Sequence, residues 1–367
     1  MPFLDLRSSH EPLAEAILLD LAELIESNAF INGPAVAQFE ERFAAFCGSA
    51  HCVGTASGLD ALRLALLAAE LEPGDEVVVP AQTFVATLEA VTQAGLRPVL
   101  ADVRDDDYGL DVDAVADAIG GRTQAVMPVH LFGQMADLTR LDALASARGL
   151  VLVEDACQAH GATRDGLAAG AAGLAGAFSF YPGKNLGAFG DAGALVTDDE
   201  RLAAQARALR EHGQRRKYEH EREGYTARLD TIQAAVLLRK LPVLEEWNES
   251  RRAAARLYTD ALQAVGDLRL PHVPAGSEPV WHLYVVRTAD PAALADHLAE
   301  RGVGTGRHYP QPVHLSEAYA WLGHGEGDFP VAERLAAESL SLPLYPGITE
   351  AQIDAVVRAV ASYFGHG

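Results

Sequence analysis

The chain has 367 residues, enough for two domains or for one large domain with an appendage. Apolar residues make up 49% and charged residues 22%, a globular balance that argues against wholesale disorder. With 29 Lys and Arg against 51 Asp and Glu the net charge is −22, which disfavours nucleic acid or an anionic membrane as partner, since either calls for a basic face. Cys47, Cys52 and Cys157 are odd in number and form no CxxC pair, so neither a disulfide framework nor a metal site is expected. The opening MPFLDLRSSHEPLAEA lacks the apolar core of a secretory signal, and no apolar run nears the ~20 residues that span a bilayer. A soluble, cytoplasmic protein is the expectation.

In chain order, amphipathic helices are predicted over 11–28 and 35–47, a strand over His51–Gly54, and an Ala- and Leu-rich helix over Ser57–Ala69. Strands at Glu76–Val79, Pro98–Ala101, Gln124–Pro128 and Leu150–Glu154 then alternate with helices over 83–94, 111–119 and 137–148. That alternation predicts right-handed βαβ units: an α/β fold with a mostly parallel central sheet flanked by helices. Two further strands, Ala177–Tyr181 and Ala192–Thr197, flank a Gly-rich stretch, followed by a helix over 199–212 and a charged loop over 215–224. A long helix begins near Leu229 and bends at Pro242. Beyond it the chain reads as a smaller α+β unit with a strand Trp281–Arg287, a helix 290–301, a Pro- and His-rich loop 304–314 and two closing helices. The expected division is 1–245 and 246–367.

Three segments carry candidate chemistry. GTASGLDAL (Gly54–Leu62) is a strand-to-helix turn whose free N–H groups suit an anion such as phosphate, although on this motif alone a simple Ser or Thr N-cap is the favoured reading. VLVEDACQAHGA (Val151–Ala162) puts Glu154 and Asp155 at the carboxyl edge of the sheet, where a carboxylate can pair with a protonated ring nitrogen, hold a metal or simply be solvated. AFSFYPGKNLGAFGDAGALVT (Ala177–Thr197) holds Lys184 in a Gly-bracketed loop between buried strands, where desolvation would prepare it as a Schiff-base nucleophile.

In this order the three segments resemble a fold-type I pyridoxal-phosphate enzyme of the aspartate-aminotransferase kind. The resemblance sharpens to the DegT/DnrJ/EryC1/StrS sugar aminotransferase family and runs through FINGPAVAQFEERFAAFCG, PAQTFVATLEAV, RLDTIQAAVL, TGRHYPQPVHL and FPVAERLAAESLSLPLYP. It implies that Lys184 forms the Schiff base with pyridoxal 5'-phosphate and later shuttles a proton, and that Asp155 keeps the pyridine nitrogen protonated. It further implies Gln158 on the ring's phenolic oxygen and Phe84 stacked on the ring. Ser57, Gly58, Leu59 and Ser179 would take the phosphate. A homodimer with shared active sites is implied as well. The family's usual Asn, which reaches the partner's cofactor phosphate, is replaced in GYTARLD by Thr226 beside Ala227. The retained lysine argues against the dehydratase branch, where His stands in its place.

Segment 207–222 reverses the chain's charge, with Arg207, Arg210, Arg215, Arg216, Lys217 and Arg222 against Glu211, Glu219 and Glu221. It reads as a solvated helix end or as a cradle for a diphosphate; beside a cofactor site the latter is favoured. The HGQRRKYEHEREG and RHYPQPVHL segments resemble the subgroup that aminates C3 of nucleotide-linked, dTDP-type 3-oxo-6-deoxyhexoses with glutamate as donor. Lys217, His220, His308, Tyr309 and His314 are the substrate-side candidates, and Arg228 the candidate for the donor carboxylate. The rival within the family is a UDP-linked 2-acetamido-3-oxo-glucuronate aminotransferase. From another class, a non-catalytic cofactor-binding regulator stays open, whereas a nicotinamide oxidoreductase lacks GxGxxG after the first strand.

Overall fold

The computed structural model describes residues 1–365. The helix expected over 11–28 is interrupted near Pro12: a short helical turn, Arg7–His10, leads through a 3₁₀ turn to α1 (Ala14–Ser27). Next come α2 (Pro34–Cys47), β1 (His51–Thr55) and α3 (Gly58–Ala68), whose start is fixed by Ser57 accepting the Asp60 N–H. The βαβ units follow as β2 (Glu76–Pro80), α4 (Ala86–Gln93), β3 (Arg97–Ala101), α5 (Val112–Ala118), β4 (Thr123–Val126), α6 (Leu138–Arg148) and β5 (Val151–Asp155). β6 (Ala175–Ser179), β7 (Gly193–Thr197) and α7 (Glu200–Arg210) close the large sheet region.

The seven strands stand in the order β1-β7-β6-β5-β4-β2-β3, and every strand runs parallel to the others except β7, which is antiparallel to both its neighbours. Strand alternation assigns each side chain to a face. Val77 and Val79 join Leu62, Leu64 and Leu88 in one core, whereas Val78, Val126 and Leu152 meet Phe39, Phe43 and Leu141 in the other. Burial on both faces explains why these strands are continuous apolar runs.

The segment 215–224 is not a plain loop. It contains a small antiparallel hairpin, Gln214–Arg216 with Glu219–His220, whose charged composition hid the strand pattern. The long helix is bent as expected: α8 (Thr231–Lys240), a 3₁₀ turn containing Pro242, then α9 (Leu244–Leu262). A third core lies among α9, β8 (Tyr284–Arg287), α10 (Pro291–Glu300), β9 (Ser339–Leu342) and α12 (Glu350–Tyr363), while α11 (Pro330–Glu338) turns Ala332 and Leu335 to the first core. β8 is shorter than the strand expected from Trp281, and its antiparallel partner β9 was not read from SLSL, where Ser alternates with Leu. The expected division between residues 245 and 246 falls in the first turn of α9. No described helix is long and apolar enough to cross a membrane.

Candidate active site

Four segments leave the carboxyl ends of parallel strands on one edge of the sheet. Ser57 and Gly58 follow β1, Phe84 and Thr87 follow β2, Asp155 ends β5, and Ser179 ends β6. That edge is where open α/β sheets bind ligands.

At β1 the first-turn N–H groups of α3 have no intrahelical acceptor and lie at the positive end of the helix. Gly58 is required here: a Cβ would fall 2.6 Å from the Ser179 Cβ and 2.8 Å from the Cys157 Sγ. The turn therefore presses against the Ser179 end of β6, bringing helix N–H groups and a hydroxyl side by side.

Asp155 and Glu154 are adjacent acids with opposite fates. Glu154 points into the protein, where it meets His130 Nε2 at 2.8 Å and accepts the N–H groups of Gly170, Ala172 and Gly173. Burial alone would raise its pKa; the bonds from His130 and the backbone outweigh burial and hold it below the ordinary value. It is a structural clasp. Asp155 faces the ligand edge, with one oxygen accepting the Thr87 hydroxyl at 2.8 Å and the other the Cys157 N–H at 3.2 Å.

Lys184 lies in the loop after β6, its N–H bonded to the Tyr181 carbonyl. Burial lowers its ammonium below the usual lysine range, against the opposing pull of Cys157 and Asp155. Three imidazoles surround this charge. His160, bonded to the Ser179 carbonyl, is pushed down to about 3, and His308, bonded to the Ser341 hydroxyl, to about 4; burial is the main cause and Lys184 the second for both. His282, 3.3 Å from Asn185 Oδ1, is likewise lowered by burial and then by Lys184. All three are neutral at pH 7.

Phe84 is 51% exposed, with its ring 5.3 Å from that of Tyr309. Tyr309 accepts a hydrogen bond from Gln158 Nε2, while Gln158 Oε1 accepts the Phe132 N–H. Burial raises the Tyr309 phenol, so it stays protonated. Phe84, Gln158, Asp155, Tyr309, His308 and Lys184 thus share one neighbourhood.

Other sequence candidates are placed elsewhere. Lys217 sits on the exposed hairpin and lines a groove of about 550 Å³ with Arg207, Arg210, Arg215, Arg216 and Arg222. His220, also exposed, binds the His212 carbonyl. That groove is not lined by Lys184, Asp155 or Phe84, so one chain does not bring the two groups together. Thr226 is exposed, its hydroxyl 3.2 Å from the His212 ring.

One expectation is corrected. His314 is fully buried, with its ring against Phe329 and Nε2 3.1 Å from Glu333, so it packs the fold and is closed to a sugar. Arg228 donates through one nitrogen, Nη1, to Glu211 at 2.8 Å. Sequence reasoning also passed over Thr87, His160 and His282; only His160 carried a signal, from its place in EDACQAHGA.

A half-buried lysine of lowered pKa, a strand-end carboxylate, a helix-terminal anion cradle and an open aromatic face suit a phosphorylated pyridine aldehyde. The fold and site are those of a fold-type I pyridoxal-phosphate enzyme. The family model for the DegT/DnrJ/EryC1/StrS aminotransferases matches residues 12–361, and the chain belongs to that family. It is 46% identical, over 99% of this chain and 96% of the relative, to a dTDP-3-amino-3,4,6-trideoxy-alpha-D-glucose transaminase of Streptomyces venezuelae. Among solved structures it is similar to S. venezuelae DesV in complex with a ketimine intermediate, with TM-score 0.96, 46% identity and coverage of 99% and 98% of the two chains. It is also similar to ntda from Bacillus subtilis with bound cofactor PMP, with TM-score 0.92, 31% identity and coverage of 100% and 85%. The protein is a pyridoxal-phosphate-dependent aminotransferase.

Proposed function

We propose that this aminotransferase moves the amino group of L-glutamate to C3 of a nucleotide-linked 3-oxo-6-deoxyhexose, a dTDP sugar first among the candidates. The single observation that carries the substrate class is the groove of the 207–222 segment, where Arg210 and Arg215 pair with Glu40 and Glu221 but Arg216, Lys217 and Arg222 have no ion-pair partner among the described residues. Arginine forks and a lysine at such a surface suit a diphosphate. The Streptomyces relative, a dTDP-3-amino-3,4,6-trideoxy-alpha-D-glucose transaminase, supports position C3.

Bound pyridoxal phosphate would supply the electron sink for the carbon that loses or gains a proton. Lys184 would hold it covalently and carry that proton, since burial favours the neutral amine. Asp155, oriented by Thr87 and the Cys157 N–H, would keep the ring nitrogen protonated. The N–H groups of Gly58 and Leu59, with the Ser179 hydroxyl, would take the phosphate at the turn that Ser57 caps, and Phe84 would cover one face of the ring. Gln158, already oriented by Phe132 and Tyr309, would reach the phenolic oxygen. Neutral His308 and protonated Tyr309 would meet the sugar by hydrogen bonds.

A homodimer completes this reading. α1 exposes Leu18, Leu19 and Ile25, and the turn after it exposes Phe30 and Ile31, an apolar band suited to a second copy. In the dimer the hairpin of one subunit, with Lys217 and His220, would serve the partner's Lys184, and Thr226 would stand toward the partner's phosphate. The three unpaired cysteines suit a reducing cytoplasm.

The test is to load the enzyme with glutamate and offer dTDP-3-oxo-6-deoxyglucose and UDP-2-acetamido-3-oxo-glucuronate in parallel, with product analysis by mass spectrometry. A 3-amino-6-deoxy product supports the proposal. Turnover of the UDP sugar alone moves the assignment to the glucuronate branch, and turnover of neither rejects the 3-oxo class.

A further inference from the structure

We propose that Lys240, the last residue of α8, is a positioning residue that sets the place of the Lys184 amine through the loop that carries it. The proposal rests on the reading of Lys184 as the cofactor-bearing amine.

Lys240 is 1% exposed, and no ion pair among the described residues compensates its charge: burial lowers its ammonium to about 8. Proteins seldom bury an ammonium without an acid beside it, because the desolvation cost is large. Its surroundings account for each donor. Nζ donates to the Gly187 carbonyl at 2.6 Å, reaches His10 Nε2 at 2.9 Å and lies 4.7 Å from the centre of the Phe189 ring. His10 is itself held neutral, near about 4, by burial and by Lys240, so its Nε2 is free to accept. It also packs edge-on against Phe189 at 5.0 Å.

The contact falls on the limb of the loop that follows Lys184. Gly187 has no room for a side chain, because a Cβ would lie 2.3 Å from the Pro182 carbonyl oxygen. The chain therefore doubles back between Pro182 and Gly187 with Lys184 between them, and a shift at Gly187 is passed directly to Pro182. Gln233, two turns before Lys240 on α8, accepts the Phe189 N–H at 2.8 Å. One helix face thus grips the loop at residues 187 and 189, and Lys240 extends that grip to His10.

The experiment compares wild type, Lys240→Met and Gln233→Leu, each loaded with pyridoxal phosphate. It reads the thermal midpoint, the pH titration of the visible cofactor band, and kcat and KM for the sugar substrate. Met keeps the length of the side chain and removes the donor. The proposal expects Lys240→Met to bind cofactor, to move the titration midpoint by about half a pH unit or more, and to lower kcat about tenfold at unchanged KM, as a slightly misplaced reacting group does. Gln233→Leu should move the midpoint in the same direction by less. A lowered thermal midpoint with unchanged titration and kcat in Lys240→Met makes the residue merely structural and overturns the proposal. If Lys240→Met does not fold, an unchanged titration in Gln233→Leu overturns it. Absence of the visible band in wild type defeats the reading of Lys184, and the proposal with it, before any variant is compared.

Discussion

The Thr87 hydroxyl donates to the Asp155 carboxylate at 2.8 Å, and Thr83 stands 2.8 Å behind it, so the acid at the end of β5 is aimed by the start of α4. The two elements come from different βαβ units and meet only because β4 is the single strand between β2 and β5. Replacing Thr87 by Val keeps the shape and removes one hydrogen bond to a charged group, worth about 1.5–3 kcal/mol. The expected result is cofactor affinity weakened by about 10- to 100-fold with the fold intact, measured by fluorescence titration of the cofactor-free protein.

Replacing Asp155 by Asn should be more severe. The amide keeps the size but cannot hold a proton on the ring nitrogen, and loss of one such electrostatic group costs on the order of 10²–10³ in kcat. Steady-state kinetics at saturating glutamate reads this directly; a loss below about tenfold would place Asp155 outside the chemistry.

Glu154 offers the contrast. Glu154→Gln exchanges a carboxylate accepting three backbone N–H groups and a His130 bond for a neutral amide, at a cost of about 1–3 kcal/mol at pH 7. Its folded pKa is depressed, so the carboxylate's stabilisation is fully present above 4.5 and is lost as pH falls through the folded value. Denaturant unfolding should therefore show wild type and variant converging below pH 4.5, with little change in kcat at pH 7.

How much of this was legible in the sequence differs between these two acids. The apolar run VLV marked β5, and alternation along a strand puts Glu154 and Asp155 on opposite faces, but nothing local says which face holds the ligand. Family resemblance selected Asp155; the clasp at Glu154 needed the 170–173 turn, which only the folded chain brings near. The βαβ rhythm was plain because buried parallel strands and amphipathic helices have distinct periods. The 214–220 hairpin and β9 were not, since charge in one and alternating serine in the other mask the apolar signal. His314 reads as a possible ligand contact from the sequence, whereas the fold sets it against Glu333 and Phe329, 19 and 15 residues further on. Nothing in the sequence separates Lys240 from any basic residue at a helix end.

The lowered pKa of Lys184 has a stability consequence in the cofactor-free protein. A lysine whose folded pKa lies below its unfolded value destabilises the fold while the solution is acidic enough to charge the unfolded form, and the penalty disappears as pH rises toward 10.5. Lys184→Met should accordingly be more stable than cofactor-free wild type at pH 7, with the gap narrowing toward pH 10.5. Thermal unfolding across that range checks it; a variant less stable at pH 7 would contradict the burial of this amine.

Thr226 tests the proposed dimer. If the partner's phosphate lies opposite it, Thr226→Asn adds a longer donor worth about 0.5–1.5 kcal/mol, or a two- to tenfold gain in cofactor affinity. The same variant should leave the affinity unchanged in any preparation shown by sedimentation to be monomeric, at 39.0 kDa.

The most direct test of the central claim, that Lys184 carries pyridoxal phosphate for amino transfer, is the absorbance spectrum of purified wild type and Lys184→Ala before and after addition of glutamate. The account predicts a wild-type band near ~410–430 nm that gives way to one near ~330 nm with glutamate, and a variant in which the band is altered and glutamate has no such effect. A wild-type protein that stays colourless with added pyridoxal phosphate, or a Lys184→Ala protein that responds to glutamate as wild type does, would contradict it.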